Sequence, residues 1–270
     1  MPVRLVATDL DNTLLGPDLH ISDRTRTALD RVRAAGIHVV PVTARQPVGL
    51  RLIAEECGFV EWALCGNGAL GLHLGTGERL FERSITVEAQ QALVAALEVA
   101  VPGVLHASVR EEGEVFVAQE GYAELVDFED HKRDPASMGA HALAAVVAEP
   151  SLKLIVRHAT VDAADLLLRA QALGLAGFEL THSGAPFLEV MAEGVTKAWG
   201  LAQLCAELDI DPSEVLAFGD ALNDVEMLSW SGRGVAVANA VPEALMVADE
   251  VTGAHDEDGV AAVLERLLDG

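Results

Sequence analysis

Positive charge is scarce in this 270-residue sequence: 18 lysines and arginines stand against 42 aspartates and glutamates, a formal charge of −24. A chain of that sign opposes binding to nucleic acid phosphates, so nucleic acid is not an expected partner. A small anionic ligand stays compatible, because local donors and a bound divalent cation dominate the field at a site whatever the net charge. Aromatic residues are also few, and Trp62, Trp199 and Trp230 read as packing residues, not a stacking platform. Cysteine is limited to Cys57, Cys65 and Cys205, widely spaced among apolar neighbours and without a Cys-x-x-Cys pair. They are expected to be buried thiols in a reducing compartment. No apolar run approaches the roughly 20 residues that cross a bilayer. The first apolar segment turns acidic at Asp9 before a signal-peptide hydrophobic region can form, so a cytoplasmic location and no membrane partner are expected. Repeats, low-complexity segments and Gly/Ser linkers are absent as well.

What is present is a 51% hydrophobic chain long enough to bury a sizeable core, in one large or two modest domains. Residues 3–8 form a short apolar run that stops at Asp9, as a buried strand does. Ser22 is placed to cap a helix over 23–35, where Ala28, Leu29, Val32 and Ala35 recur at helical spacing before Gly36. The unit repeats, with a strand over 37–42 ending at Thr43 and a helix from Pro47 to Cys57. Further short strands are expected over 62–65, ending in Gly66-Asn67-Gly68, over 215–218, ending in Gly219-Asp220, and over 234–237. Strands alternating with helices predict an α/β fold, a doubly wound parallel sheet, and such sheets bind ligands beyond the carboxyl ends of their strands. Asp9, Thr43, Asn67 and Asp220 all fall at those ends and are expected to converge. Between about residues 80 and 186 the pattern changes to short strands over 104–109, 114–118, 152–156 and 178–181, with a clear helix over 161–173 and a turn over 135–139. This reads as an inserted α+β domain.

Asp9-Leu10-Asp11-Asn12-Thr13 sets two carboxylates two residues apart just after a strand. One carboxylate can attack phosphorus when a cation offsets the repulsion between anions, and the second can protonate a leaving oxygen and then deprotonate water. Taken alone, the segment reads more readily as a solvated polar loop capping a strand. Gly219-Asp220-Ala221-Leu222-Asn223-Asp224 follows another strand, and its carboxylates suit a hard cation such as magnesium or, equally, a helix N-terminus. Thr43 offers a hydroxyl to a phosphoryl oxygen or caps a helix. Lys197, in Gly194-Val195-Thr196-Lys197, offers a cation ahead of an apolar helix, or is a solvated lysine.

The order of these segments resembles the haloacid dehalogenase superfamily of phosphatases, specifically its Cof-type sugar-phosphatase branch. Asp9-Leu10-Asp11-Asn12-Thr13-Leu14 looks like the first family motif, Val42-Thr43-Ala44-Arg45 the second, Lys197 the third, and Gly219-Asp220 with Asn223-Asp224 the fourth. Gly66-Asn67-Gly68-Ala69, Leu188-Glu189-Val190 and Glu257-Asp258-Gly259-Val260 also match the Cof-type branch. Ala44 in place of a common glycine, and Val237-Ala238-Asn239-Ala240 in place of Met-Gly-Asn-Ala, depart from it without removing a catalytic group.

The resemblance implies a Rossmann-like catalytic core over residues 1–80 and 187–270 and a substrate-selecting cap over 81–186. It implies hydrolysis of a small phosphorylated metabolite with Asp9 as nucleophile, Asp11 as acid and base, and Thr43 and Lys197 holding the phosphoryl group. Magnesium would be held by Asp9, the carbonyl of Asp11, Asp220 and Asp224, with Asn67 and Asn223 near substrate. Transfer to a sugar, as in a phosphomannomutase with a late cap, and a non-catalytic phosphometabolite-binding protein stay open. The presence of Asp9, Asp11, Thr43, Lys197, Asp220 and Asp224 together argues against the latter. His106, His131, His141, His158 and His182 lack ligand-like spacing and are expected to be structural or solvated.

Overall fold

The computed structural model describes residues 2–269. In chain order its strands are β1 (Leu5–Thr8), β2 (His38–Pro41), β3 (Trp62–Cys65), β4 (Leu70–His73), β5 (Arg79–Glu82), β6 (Leu105–Arg110), β7 (Val115–Ala118), β8 (Lys153–Arg157), β9 (Phe178–Thr181), β10 (Leu188–Ala192), β11 (Val215–Gly219), β12 (Arg233–Ala236) and β13 (Glu250–Val251). The chain divides into two compact units. The first comprises the chain up to Ala44, Leu50–Phe81 and the chain from Thr196 onward; the second comprises Arg45–Gly49 and Glu82–Val195.

The first unit is built on a five-stranded sheet in the order β13-β12-β11-β1-β2. All four pairings are parallel. Central strands of such a sheet are buried on both faces and therefore read as continuous apolar runs. Leu5, Val6 and Ala7 of β1 and Leu216, Ala217 and Phe218 of β11 are fully buried. A Leu or Val buried in this way contributes about 1.5–3 kcal/mol relative to exposure, enough to fix which strands lie at the centre. Helices connect the strands as the spacing predicts. Asp23–Ala34 is capped by Ser22, whose side chain accepts from the Thr25 amide, and it buries Ala28, Leu29 and Val32. Pro47–Cys57 follows β2, and Lys197–Glu207 leads into β11. The doubly wound α/β expectation is met.

β3 behaves differently from the expected fifth member of the parallel ladder. It joins β4 and β5 in a three-stranded sheet and pairs antiparallel with β4. Gly66, Asn67 and Gly68 all have positive φ (57°, 58° and 88°), which reverses the chain directly after Cys65. One parallel bridge, Val42 to Leu64, ties β3 to the segment after β2. Cys57, Cys65 and Cys205 are buried, and burial pushes the Cys205 thiol up to about 11.

The second unit holds an antiparallel sheet in the order β7-β6-β8-β10-β9. Helices Val87–Ala100 and Ala163–Ala172 bury Leu93, Val94 and Leu97, and Leu166, Leu167 and Ala170. The expected boundary at residue 187 differs from the observed one: β10 pairs with β8 and β9, so this unit runs on to Val195. Its interior is polar in places. Lys153 Nζ donates to Glu189 Oε1 at 2.6 Å, and Tyr122 Oη lies 2.8 Å from His131 Nε2. Burial holds His131 at about 3 and His106 at about 4, so both are neutral packing residues at physiological pH. Among the described residues no helix is long and apolar enough to cross a membrane.

Candidate active site

The parallel register sets the site. Thr8 pairs with Phe218 and with Pro41, so the chain leaves β1, β2 and β11 at one level. The amide of Asp9 donates to the Phe218 carbonyl at 3.0 Å, and the amide of Val42 donates to the Thr8 carbonyl at 2.8 Å. Asp9 and Asp220 therefore emerge from adjacent strand ends. Thr43 follows Val42, and its carbonyl accepts from the Asn67 amide at 3.0 Å, which brings the turn after β3 to the same edge.

Lys197 stands at the first turn of helix Lys197–Glu207, after Thr196, whose side chain accepts from the Trp199 amide. It is almost fully buried, and its Nζ donates at 2.6 Å to Asp9 Oδ1 and at 2.6 Å to Asp224 Oδ1. An isolated ammonium would not survive such burial; here burial works against the charge, and Asp224 and Asp9 outweigh it, so the Lys197 pKa is raised. Asp224 Oδ2 accepts from the amides of Asp220 and Ala221, both at 3.0 Å, and so fixes the turn that carries Asp220. Gly219 makes this possible. A Cβ there would meet Asp224 Cβ at 2.5 Å.

Asp9, Asp220 and Asp224 each offer a carboxylate oxygen within 4.8 Å of the others, and all three are buried. Burial, and then the neighbouring charges of Asp224 and Asp220, push Asp9 up against the opposing pull of Lys197. Burial and Asp224 push Asp220 up to about 6, although Thr13 Oγ1 donates to its Oδ1 at 2.7 Å. Three carboxylates against one ammonium leave an excess of negative charge in a low-dielectric site. An all-oxygen donor set with that excess fits a hard divalent cation.

Asn223 and Asn67 meet as well: Asn223 Nδ2 donates to Asn67 Oδ1 at 2.9 Å, while the buried Asn223 Oδ1 has no hydrogen-bond partner among the described residues. Asn67 is held in place by the tight approach of its turn to the helix, since a Cβ on Gly68 would stand 2.5 Å from the Thr196 carbonyl oxygen. The side chains of Asp9, Lys197 and Asp224 thus form one bonded cluster with the Asp220 carboxylate, held by Thr13, beside it, while Asn67 and Asn223 are a second linked pair and Thr43 is tied to Asn67 through the backbone. Asp11, half-buried, lies outside the three-carboxylate cluster. Sequence reasoning missed Thr13 as the donor to Asp220, and the contact of Asn239 Nδ2 with the Asn12 carbonyl at 2.8 Å. Neither pairing has a local signature. Only the position of Thr13 within the first motif hinted at a role.

A model of the haloacid dehalogenase-like hydrolase family matches residues 6–264. The putative phosphatase YxeH of Bacillus subtilis is 27% identical over 277 residues, covering 98% of each chain. The HMP-PP phosphatase of Klebsiella pneumoniae is 31% identical over 252 residues, covering 89% of this chain and 86% of the relative. Among solved structures, the HAD subclass IIB sugar phosphatase BT4131 superposes with a TM-score of 0.84 at 21% identity, covering 98% of both chains, which speaks to the fold. A family match over nearly its whole length places this chain among the haloacid dehalogenase-like hydrolases, as an enzyme of that family.

Proposed function

We propose that the chain is a magnesium-dependent phosphomonoesterase that hydrolyses a small phosphorylated metabolite through an aspartyl-phosphate on Asp9. The observation that carries this reading is the buried Asp9–Lys197–Asp224 bridge beside Asp220. A carboxylate pinned against a lysine at a strand end is oriented and desolvated, as a nucleophile must be. Asp9 attacks phosphorus, forming the new P–O bond as the bond to the leaving oxygen breaks. Asp11 delivers its proton to that oxygen, then takes a proton from water as the water attacks the phosphoryl group, releasing phosphate and restoring Asp9. Lys197 has three N–H donors and spends two on Asp9 and Asp224, so the third is available for a phosphoryl oxygen, and Thr43 supplies a further donor. Asp9, Asp220 and the Asp11 carbonyl would hold magnesium, with Asp224 fixing the Asp220 turn; when bound, the ion offsets the repulsion between the carboxylate and the phosphate. Asn67 and Asn223 are assigned to substrate.

By the same reading the second unit selects the leaving group. One similar protein is an HMP-PP phosphatase and a structural neighbour is a sugar phosphatase, so sugar phosphates and HMP-PP head the compounds to test, before nucleotides and pyridoxal phosphate. Phosphate release from such a panel, with magnesium and with chelator, tests the assignment. Release from none of them, together with failure to trap a phospho-enzyme, would overturn it.

A further inference from the structure

The loop after β1 is wound tightly on one side and strapped on the other. Its inner turn closes on a single acceptor, since the amides of Thr13, Leu14 and Leu15 all donate to the Leu10 carbonyl, at 3.3, 3.0 and 2.9 Å. Asn12 at the apex has φ of 60°, a left-handed conformation that asparagine tolerates better than most residues without preferring it. Rotation of Asn12 to an ordinary negative φ would swing the peptide that joins it to Asp11. What opposes that rotation comes from the other end of the chain. Asn239 Nδ2 donates to the Asn12 carbonyl at 2.8 Å, and Asn239 Oδ1 accepts from the His255 amide at 2.9 Å. The His255 ring closes the arrangement: its Nδ1 lies 2.8 Å from the Leu15 carbonyl oxygen. A carbonyl only accepts, so Nδ1 carries the hydrogen. The two outward carbonyls of the loop, three residues apart, are thus held by the side chains of two residues that are themselves linked, through the His255 backbone amide and Asn239 Oδ1.

We propose that Asn239 and His255 are positioning residues for the reaction assigned above: they hold Asn12 in its left-handed state and so aim Asp11, one residue earlier, at the leaving oxygen. This rests on the reading of Asp11 as acid and base. Neither residue touches substrate on this account. Their loss acts on the aim of Asp11 and on the Asp11 carbonyl assigned to magnesium, so rates are compared at saturating magnesium; Asp9, Lys197 and Asp220 keep their own contacts, and substrate binding is left in place.

Asn239→Ala and His255→Ala are compared with wild type and with His255→Asn, whose amide can donate from nearly the position of Nδ1. With p-nitrophenyl phosphate and magnesium, each alanine variant is expected to lose roughly threefold to tenfold in kcat, the worth of one or two hydrogen bonds, with KM within about twofold. His255→Asn is expected to recover most of the rate. Amide hydrogen exchange in the metal-free protein supplies a readout independent of activity: residues 12–15 should exchange faster in both alanine variants, with β1 and β11 unchanged. Unchanged kcat and unchanged exchange in the alanine variants would overturn the proposal, as would faster exchange with kcat intact, which would make the strap structural only. A wild type that releases no phosphate from any compound would instead defeat the phosphatase reading, while the exchange data would still decide whether the strap holds the loop.

Discussion

Replacing Lys197 by methionine should convert the site from a partly neutralised cluster into one with no cation at all. The side chain is almost fully buried and holds two carboxylates at 2.6 Å. Methionine keeps most of its volume, so packing changes little and the loss is electrostatic. Removing one partner of a buried ion pair costs about 3–5 kcal/mol, because the remaining charge is left uncompensated. For a folding unit of this size each kcal/mol moves Tm by about 2–4 °C, which gives a fall of about 6–20 °C in chelator at pH 8. Two further signs follow. Asp9 and Asp220 already sit above the usual carboxylate range, and without Lys197 both rise further. A carboxyl group whose pKa is higher folded than unfolded destabilises the native state above that pKa and ceases to do so below it. The penalty should therefore shrink as pH is lowered from 8 towards 5. Magnesium should restore more of the Tm in the variant than it adds to wild type. Differential scanning fluorimetry with and without magnesium reads all three. A Tm within about 2 °C of wild type at pH 8, or a magnesium response no larger than that of wild type, would refute the charge argument.

Other perturbations reach different parts of the molecule. Burial holds His106 at about 4 and His131 at about 3, below the ordinary histidine value, so both enter the folded state neutral. The unfolded chain takes up those protons first as pH falls through about 6.5. Stability contributed by the second unit should be full above that pH and decline between about 6.5 and 4, by up to about 1.4 kcal/mol per pH unit per histidine; His131→Phe should flatten part of the decline in pH-dependent urea unfolding. Gly219→Ala should displace Asp224, which a new Cβ would meet at 2.5 Å, and lower phosphate release at least tenfold while β11 itself stays folded by circular dichroism.

Much of the architecture was legible because it is local. β1 and β11 are short apolar runs that end in Asp9 and Gly219-Asp220, and their burial on both faces is written in their composition. Ser22 announced its helix by a cap that the structure retains. The sheet to which β10 belongs was not legible for the opposite reason: Leu188–Ala192 is buried throughout, and nothing in a uniformly buried strand says which distant strand it pairs with. The antiparallel partner of β3 was not legible because the conformations of Gly66, Asn67 and Gly68, and hence the chain reversal into β4, depend on the helix start that packs against Gly68. At the site, acidic residues at strand ends signalled where chemistry belongs. Thr13 with Asp220, and Asn239 with Asn12, are separated by more than 200 positions and became visible only when the parallel register brought them together.

The central claim is that Asp9 carries the phosphoryl group. Mass spectrometry of the protein quenched in acid during turnover of a phosphorylated substrate with magnesium tests it most directly. The account predicts a covalent phosphate on the peptide containing Asp9 in wild type, lost in Asp9→Asn along with phosphate release. Full phosphate release by Asp9→Asn, or a phosphorylated residue elsewhere in the chain, would contradict it.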